Sequence, residues 1–157
     1  MKNLTYCAVL FGLFLLLNLF TSSVTAQTKT KGKIEKEKNQ INFIENSLEL
    51  VLKKAKSEHK YIFVDAYAVW CGPCKLLKAT TFKDKKVADF FNTNFVNLSI
   101  DMEKGQGLML AEKWGVEAYP TLIVLDTDGN IVFSKIGYIE AKELLELGYK
   151  VSEKNKS

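Results

Sequence analysis

Apolar and polar positions divide the N-terminal part of the chain into two contrasting segments. Leu4 to Phe20 is almost wholly apolar and is followed by the small residues Val24-Thr25-Ala26. This composition predicts a secretory signal peptide over residues 1–26, with an uncleaved membrane anchor as the alternative. Residues 27–40 are polar and rich in lysine, which is typical of a solvated tether. We therefore expect an exported protein, periplasmic or secreted, that contacts a membrane only through the first segment if it stays uncleaved.

Beyond the tether, residues 41–150 alternate between helical and strand-like periodicity, which predicts one α/β domain. Helices are predicted over Ile41–Lys56, Gly72–Ala79, a short segment capped by Asp84 that carries Val87, Phe90 and Phe91, Gly105–Trp114 and Ala141–Leu147. Strands are predicted over Tyr61–Ala66, Phe95–Asp101, Thr121–Leu125 and Ile131–Ile136, the last two joined by a tight turn at Asp126–Asn130. Helices between the first strands imply parallel crossovers, and the hairpin implies an antiparallel pair. We therefore expect a mixed sheet with helices on both faces, followed by a polar tail over residues 151–157.

Composition narrows the functions that the chain can serve. The 157 residues carry a net charge of +4 but include no arginine, the residue best suited to bidentate phosphate recognition. Nucleic acid is therefore not an expected partner. Without residues 1–26 the chain has about 130 residues, which is the size of a single domain. Only two of the three cysteines then remain, whereas disulfide-stabilised secreted domains carry several pairs, so a catalytic role is favoured.

The two remaining cysteines, Cys71 and Cys74, follow directly on a predicted strand and open a predicted helix. This spacing is typical of a dithiol that cycles with a disulfide. At a helix N-terminus the free N–H groups and the helix dipole lower the pKa of the Cys71 thiol and make it the nucleophile. We expect Cys74, one turn further, to be more buried and to act as the resolving thiol. Pro73 suits the first turn, and Gly72 keeps the backbone open to an approaching chain.

Two other interpretations of this cysteine pair compete with a redox role. A structural zinc site usually needs four ligands, and the chain adds only Cys7, within the predicted signal peptide, and the isolated His59. A purely structural disulfide across two residues constrains little of the unfolded chain and stabilises the fold weakly. We therefore expect no metal site.

Two short motifs, together with the order of elements, resemble the thioredoxin family over about Tyr61 to Gly148. The motifs are Trp70-Cys71-Gly72-Pro73-Cys74-Lys75 and Ala118-Tyr119-Pro120-Thr121. The resemblance implies a thioredoxin fold in which Pro120 is cis and faces the dithiol, and in which the backbone of Tyr119 pairs with a substrate strand. It further implies a substrate-binding surface formed by Trp70, Gly72, Pro73, Tyr119, Pro120 and Gly137. For Pro120 a proline at a strand start is the alternative, and for Gly137 a simple turn glycine.

Asp65 matches the buried acid that the family places beneath its dithiol. A carboxylate inside an apolar strand is costly unless it has a partner or a function. Burial raises the pKa of such a carboxyl, which suits Asp65 to accept a proton from Cys74 during resolution. The alternative is an aspartate at a strand end that turns to water. Many thioredoxins pair this acid with a lysine on the next strand, and here the aligned position is Asn97.

The segment Thr80–Ala88 is longer than in a minimal thioredoxin and is similar to exported domains related to the C-terminal domain of the transmembrane disulfide reductase. The resemblance implies an exported thiol–disulfide oxidoreductase that needs no cofactor. It would reduce protein disulfides through a mixed disulfide with Cys71 and would be re-reduced by a dithiol electron-donor protein. The alternatives are a reductant dedicated to cytochrome c maturation, a disulfide isomerase or oxidase, and a module that binds thiol clients without turnover.

Overall fold

The computed structural model describes residues 39–154. The predicted signal peptide, almost all of the predicted tether and Cys7 lie outside the described residues. The elements are β1 Phe43–Glu45, α1 Leu48–Glu58, β2 Tyr61–Tyr67, α2 Gly72–Ala79, a 3₁₀ turn Thr81–Lys83, α3 Lys85–Asn94, β3 Phe95–Asp101, α4 Gln106–Trp114, β4 Thr121–Leu125, β5 Ile131–Ile136 and α5 Ala141–Lys154. Within this range no helix is both long and apolar enough to cross a membrane.

The described strands form one sheet in the order β1-β3-β2-β4-β5. Strand β3 runs parallel to both β1 and β2, whereas β4 is antiparallel to β2 and to β5. The parallel β2–β3 crossover and the antiparallel hairpin confirm the predicted mixed sheet. Because side chains alternate along a strand, β2 feeds two cores: Ile62 and Val64 pack against α1 and α4, and Phe63 packs against α2, α3 and α5. Helices therefore cover both faces, as predicted.

The predicted helix over Ile41–Lys56 is wrong in its first half, where the chain forms the edge strand β1. Phe43 and Ile44 pair with Asn97 and Leu98 of β3, and their side chains enter opposite cores. Asn46 then adopts a left-handed conformation with φ 50°, and α1 begins only at Leu48. The apolar spacing matched a helix, but pairing with the open edge of β3 satisfies the backbone of this short segment instead.

Helix α5 continues to Lys154, beyond the predicted end at Leu147, so the predicted polar tail begins inside this helix. Val151 is buried in the core beneath the helix. Gly148 lies within this helix and packs closely against α3, since a Cβ added there would lie 2.7 Å from the Phe90 ring and 3.0 Å from the Phe91 ring. A residue that weakens an isolated helix here allows two helices to pack.

The prediction that Asp84 caps the following helix is confirmed. Its carboxylate Oδ1 accepts hydrogen bonds from the backbone N–H groups of Lys86 and Val87, at 2.9 and 3.0 Å. These bonds satisfy two of the N–H groups that the first turn of α3 leaves free. The predicted end of α4 at Gly115 is confirmed as well, since this glycine adopts φ 64°.

Candidate active site

Cys71 occupies the N-cap position of α2 and is joined to Cys74 by a disulfide, with 5.3 Å between their Cα atoms. The backbone N–H of Cys74 donates a hydrogen bond to Cys71 Sγ at 3.1 Å. After reduction the same N–H and the helix dipole favour a thiolate on Cys71 over a thiol. This geometry makes Cys71 the sulfur better suited to attack a disulfide.

The two cysteines are buried to the same extent in the disulfide form, each with 2% of its surface exposed. The expectation that Cys74 would be the more buried of the pair is therefore wrong for this form. Tyr67 and Tyr119 pack against the cluster that the cysteines form with Ala68, and this cover contributes to the low exposure of the pair. The functional distinction between the cysteines consequently rests on the helix N-terminus.

The segment before β4 lies beside the cysteine cluster. The Tyr119–Pro120 peptide bond is cis, as the family resemblance implies. The Pro120 carbonyl accepts a hydrogen bond of 2.8 Å from the backbone N–H of Gly137. Gly137 has φ 92°, a conformation that favours glycine, and a Cβ added there would meet nothing within 4 Å. The backbone next to the disulfide is thus open on this side.

Several large apolar side chains near the cysteines in sequence, or on the strand paired with the cis-proline segment, are exposed to solvent. Trp70 is 65% exposed and Ile136 is 62% exposed, and Val69 is exposed beside them in sequence. Ile136 pairs in register with Thr121, the residue after Pro120. Large apolar side chains that face solvent are commonly found where another protein docks.

Glu103 is a site residue that the sequence did not single out. Its Oε2 accepts a hydrogen bond of 2.8 Å from the indole Nε1 of Trp70, whose ring also makes an edge contact with Tyr119 at 5.8 Å between centroids. Burial, with the nearby carboxylates of Glu103 and Asp101, raises the pKa of Tyr119, so its phenol stays neutral at physiological pH. Together these contacts fix the orientation of the exposed indole.

Asp65 lies in the middle of β2 with none of its surface exposed, so the alternative of an aspartate turned to water is wrong. Its Oδ2 accepts a hydrogen bond of 3.0 Å from Ser99 Oγ and lies 3.5 Å from Lys78 Nζ. Oδ1 accepts no hydrogen bond from the described residues. Burial raises the pKa of Asp65 to about 6, although Lys78 and Ser99 act in the opposite direction.

The residue that faces Asp65 on the next strand is Ser99, not Asn97. The β2–β3 register pairs Asp65 with Ser99, while Asn97 pairs with Phe63. The Asn97 side-chain amide donates towards Phe91 O and Asn92 Oδ1, at 3.4 and 3.3 Å. The aligned family position therefore carries no partner for the acid, and the cation comes from helix α2. The sequence spacing could have indicated this lysine, because Lys78 stands four residues after Cys74 and therefore on the same face of that helix.

Within residues 39–154, no group of three or more His, Cys, Asp and Glu side chains is arranged to hold a metal ion. The structure places the cis bond before Pro120 beside the Cys71–Cys74 disulfide, through the packing of Tyr119 on the cysteines, and it buries Asp65 with its partner Lys78 on the neighbouring elements β2 and α2. A sheet of this topology with such a disulfide at a helix N-terminus defines a class, the thiol–disulfide oxidoreductases of the thioredoxin fold.

Comparison with known proteins identifies the family. The model of the thioredoxin-like domain matches residues 48–152. Curated relatives include the thiol:disulfide interchange protein DsbD of Haemophilus influenzae (strain PittEE), 33% identical over 109 residues and 66% of this chain, and that of Yersinia pestis (strain Pestoides F), 30% identical over 111 residues and 68% of this chain. The matched region spans only 19% of the length of these relatives. The chain belongs to the family of thioredoxin-like domains.

Solved structures agree with this assignment. A candidate disulphide-isomerase from Bacteroides thetaiotaomicron is 48% identical, with a TM-score of 0.64 over 71% of this chain and 95% of that chain. The C-terminal domain of Neisseria meningitidis DsbD in its reduced form is 23% identical, with a TM-score of 0.57 over 68% and 98% of the two chains. A thioredoxin from Thermus thermophilus is 19% identical, with a TM-score of 0.66 over 73% and 91%. The latter two likenesses establish the fold.

Proposed function

We propose that the protein is an exported reductant of protein disulfides that works through Cys71, with Cys74 as the resolving thiol. The observation that carries the proposal is the position of Cys71 Sγ at the N-cap of α2, where it accepts the Cys74 N–H bond of 3.1 Å. A thiolate held there has a stable reduced form and is the attacking species in disulfide exchange. Export is supported by the apolar segment and small residues within 1–26.

The first step forms a mixed disulfide. The Cys71 thiolate attacks one sulfur of the substrate disulfide, a new S–S bond forms, and the other substrate sulfur leaves as a thiolate that takes a proton from water. The exposed Trp70 and Ile136, the turn residues Gly72 and Pro73, and the open backbone at Tyr119, Pro120 and Gly137 provide the surface on which the substrate chain docks.

The second step releases the reduced product. Cys74 gives its proton to the Asp65 carboxylate and attacks Cys71 Sγ, and the second substrate sulfur leaves as a thiolate that takes a proton from water, while Asp65 returns its own proton to solvent. The substrate gains two electrons and two protons, and the enzyme ends as the Cys71–Cys74 disulfide. With a pKa of about 6, Asp65 is mostly ionised at neutral pH and is therefore able to accept this proton. A dithiol protein must then return two electrons to the pair.

Disulfide isomerisation is the second candidate function. It is favoured by the 48% identity to the candidate disulphide-isomerase of Bacteroides thetaiotaomicron. An isomerase requires the same attack by Cys71, but the substrate's own thiol resolves the mixed disulfide. Recovery of activity by a scrambled multi-disulfide protein would then persist in Cys74→Ala, whereas net reduction would stop.

Turnover of a protein disulfide separates an enzyme from a binding module. We expect catalytic amounts of the wild-type protein to accelerate the reduction of an accessible protein disulfide by dithiothreitol, and Cys71→Ser to return the rate to that of dithiothreitol alone. The rate is followed by thiol release. The proposal would be contradicted if the wild type and Cys71→Ser accelerated the reaction equally. If neither protein accelerated it, a module that binds without turnover would be favoured.

A further inference from the structure

Two consecutive threonines join the end of the dithiol helix to the loop that follows β5. Thr80 is the C-cap residue of α2, and Thr81 opens the 3₁₀ turn. The loop consists of residues 137–140, between β5 and α5, and is called the Gly137 loop below. The side chains of both threonines form hydrogen bonds with this loop.

The link made by Thr81 is buried. Thr81 is 2% exposed, and its hydroxyl donates a hydrogen bond of 2.8 Å to the carbonyl oxygen of Ile139. Ile139 is 1% exposed and belongs to the same core cluster as Phe82, the residue after Thr81. Because a buried carbonyl left without a donor is costly, this bond fixes the backbone of the loop at Ile139.

The link made by Thr80 joins two hydroxyl groups at the surface. Thr80 Oγ1 donates to the carbonyl oxygen of Leu76 at 2.7 Å and lies 3.3 Å from the Tyr138 hydroxyl. A threonine hydroxyl has one hydrogen, which here points to Leu76, so Tyr138 donates the bond to Thr80. The end of α2 therefore holds the loop at two successive residues, Tyr138 and Ile139.

The loop held in this way adjoins the cis-proline segment. The N–H of Gly137 donates to the Pro120 carbonyl at 2.8 Å. Tyr119, joined to Pro120 by the cis bond, packs against the cysteines. A continuous series of contacts thus runs from the C-terminus of α2 through the threonines, the loop and Pro120 to the cysteines at the start of the same helix.

We propose that Thr81, with Thr80, is a positioning residue that fixes the Gly137 loop relative to α2 and thereby determines the affinity for protein disulfides. The inference rests on the proposed function, because Gly137 and Pro120 belong to its docking surface. A protein substrate contacts backbone on both sides of the dithiol, so its affinity depends on where the loop lies. A small disulfide needs only the sulfur of Cys71 and reacts without the loop.

Hydrogen exchange at the Gly137 amide, in the oxidised protein without substrate, tests the positioning step. Thr81→Val keeps the branched side chain but removes the hydroxyl, so we expect this amide to exchange roughly tenfold faster. Thr81→Ser should restore slow exchange because it returns the donor. Thr93→Val is the matched control, since the Thr93 hydroxyl bonds within α3 to the Asp89 carbonyl at 2.7 Å, and it should leave the Gly137 amide unchanged.

Single-turnover reaction of the pre-reduced protein tests the docking step. The two probes are insulin, a protein disulfide, and bis(2-hydroxyethyl) disulfide, and oxidation of the enzyme is followed by alkylation and mass. In Thr81→Val the half-saturating insulin concentration should rise roughly fivefold at an unchanged limiting rate, with no change for the small disulfide. Thr81→Ser should reverse the rise. Tyr138→Phe, which keeps the buried Thr81 bond, should raise the insulin concentration by a smaller factor.

An unchanged Gly137 exchange rate in Thr81→Val would overturn the proposal, as would faster exchange spread equally over β2 and β3, which indicates a general loss of stability. Faster exchange at Gly137 with an unchanged half-saturating insulin concentration would also overturn it, because docking would then not depend on the loop. Failure of the proposed function shows separately, as a wild-type protein that reduces neither probe. That result would remove the docking role, whereas the exchange measurement would still show whether Thr81 holds the loop.

Discussion

Replacement of Cys74 by alanine is expected to stop net reduction and to leave Cys71 joined to its substrate in a stable mixed disulfide. Cys71 retains its N-cap position and its attack on the substrate, but no second thiol of the enzyme can release the product. Turnover should fall to the rate of the chemical reductant alone. The trapped species is measured as a protein adduct on a non-reducing gel that disappears on reduction, with its mass confirming one substrate for each enzyme.

Cys71→Ala is the matched variant because it removes the other sulfur of the same disulfide. Cys74 lies inside the helix rather than at its N-cap, so it lacks the N-terminal position of Cys71. We expect little adduct from this variant. Equal amounts of adduct from the two variants would contradict the assignment of Cys71 as nucleophile. Because the two cysteines are equally buried in the disulfide form, this assignment rests on the position of Cys71 at the helix N-terminus.

Asp65→Asn is expected to slow the resolving step and, at neutral pH, to stabilise the fold. An amide cannot accept the proton of Cys74, so release of the mixed disulfide at pH 7 should slow on the order of a hundredfold, the lower end for a positioned proton acceptor. The measurement is the single-turnover rate of product release between pH 5 and 9. The wild-type rate should rise through about pH 6 as Asp65 ionises, and this rise should be missing in the variant.

The effect on stability follows from the direction of the Asp65 pKa shift. Burial raises this pKa from 3.8 to about 6, so the folded state keeps a proton that the unfolded state releases between these values. The contribution of Asp65 to stability is therefore fully present below about pH 4 and is lost as the pH rises through about 6. The free energy of unfolding falls by about 3 kcal/mol over this range, and an asparagine at this position causes no such decrease because it does not ionise.

Denaturant unfolding of the oxidised proteins at pH 4 and pH 7.5 measures this term. The difference in unfolding free energy between Asp65→Asn and wild type should increase by roughly 2.5 kcal/mol between the two pH values, because part of the unfolded-state carboxyl is already ionised at pH 4. Asp128→Asn, at an exposed position in the β4–β5 turn, is the control and should show no such increase. A constant difference for Asp65→Asn would mean that the acid is not destabilised in its charged form.

The inner strands of the sheet were predictable because strands buried on both faces consist of short runs of apolar residues. Strands β2, β3 and β4 are buried over nearly their whole length, and turn residues bound them in the sequence. Strand β1 was missed because only three residues pair with β3, and the spacing of Ile41, Ile44 and Leu48 fits a helix equally well. The choice between these structures depends on the free edge of β3, which is a tertiary feature.

The candidate site was predictable where its residues are contiguous and was missed where they meet across the fold. The cysteines and their helix N-terminus lie within one short motif, and the cis bond before Pro120 followed from the family resemblance. Lys78 and Glu103 belong to the site only through contacts with Asp65 and Trp70 from other elements. Asn97 and Ser99 point to the same face of β3, so the sequence alone could not tell which of them neighbours Asp65. The strand register identifies Ser99.

The reduction potential of the Cys71–Cys74 couple tests the proposed direction of the reaction most directly. It is measured by equilibrating the protein in dithiothreitol and glutathione buffers and counting free thiols. A reductant of protein disulfides should have a reduction potential of about −270 mV, as thioredoxin does. A value near about −120 mV, that of a strong oxidant, would contradict the proposal and make the protein a donor of disulfides.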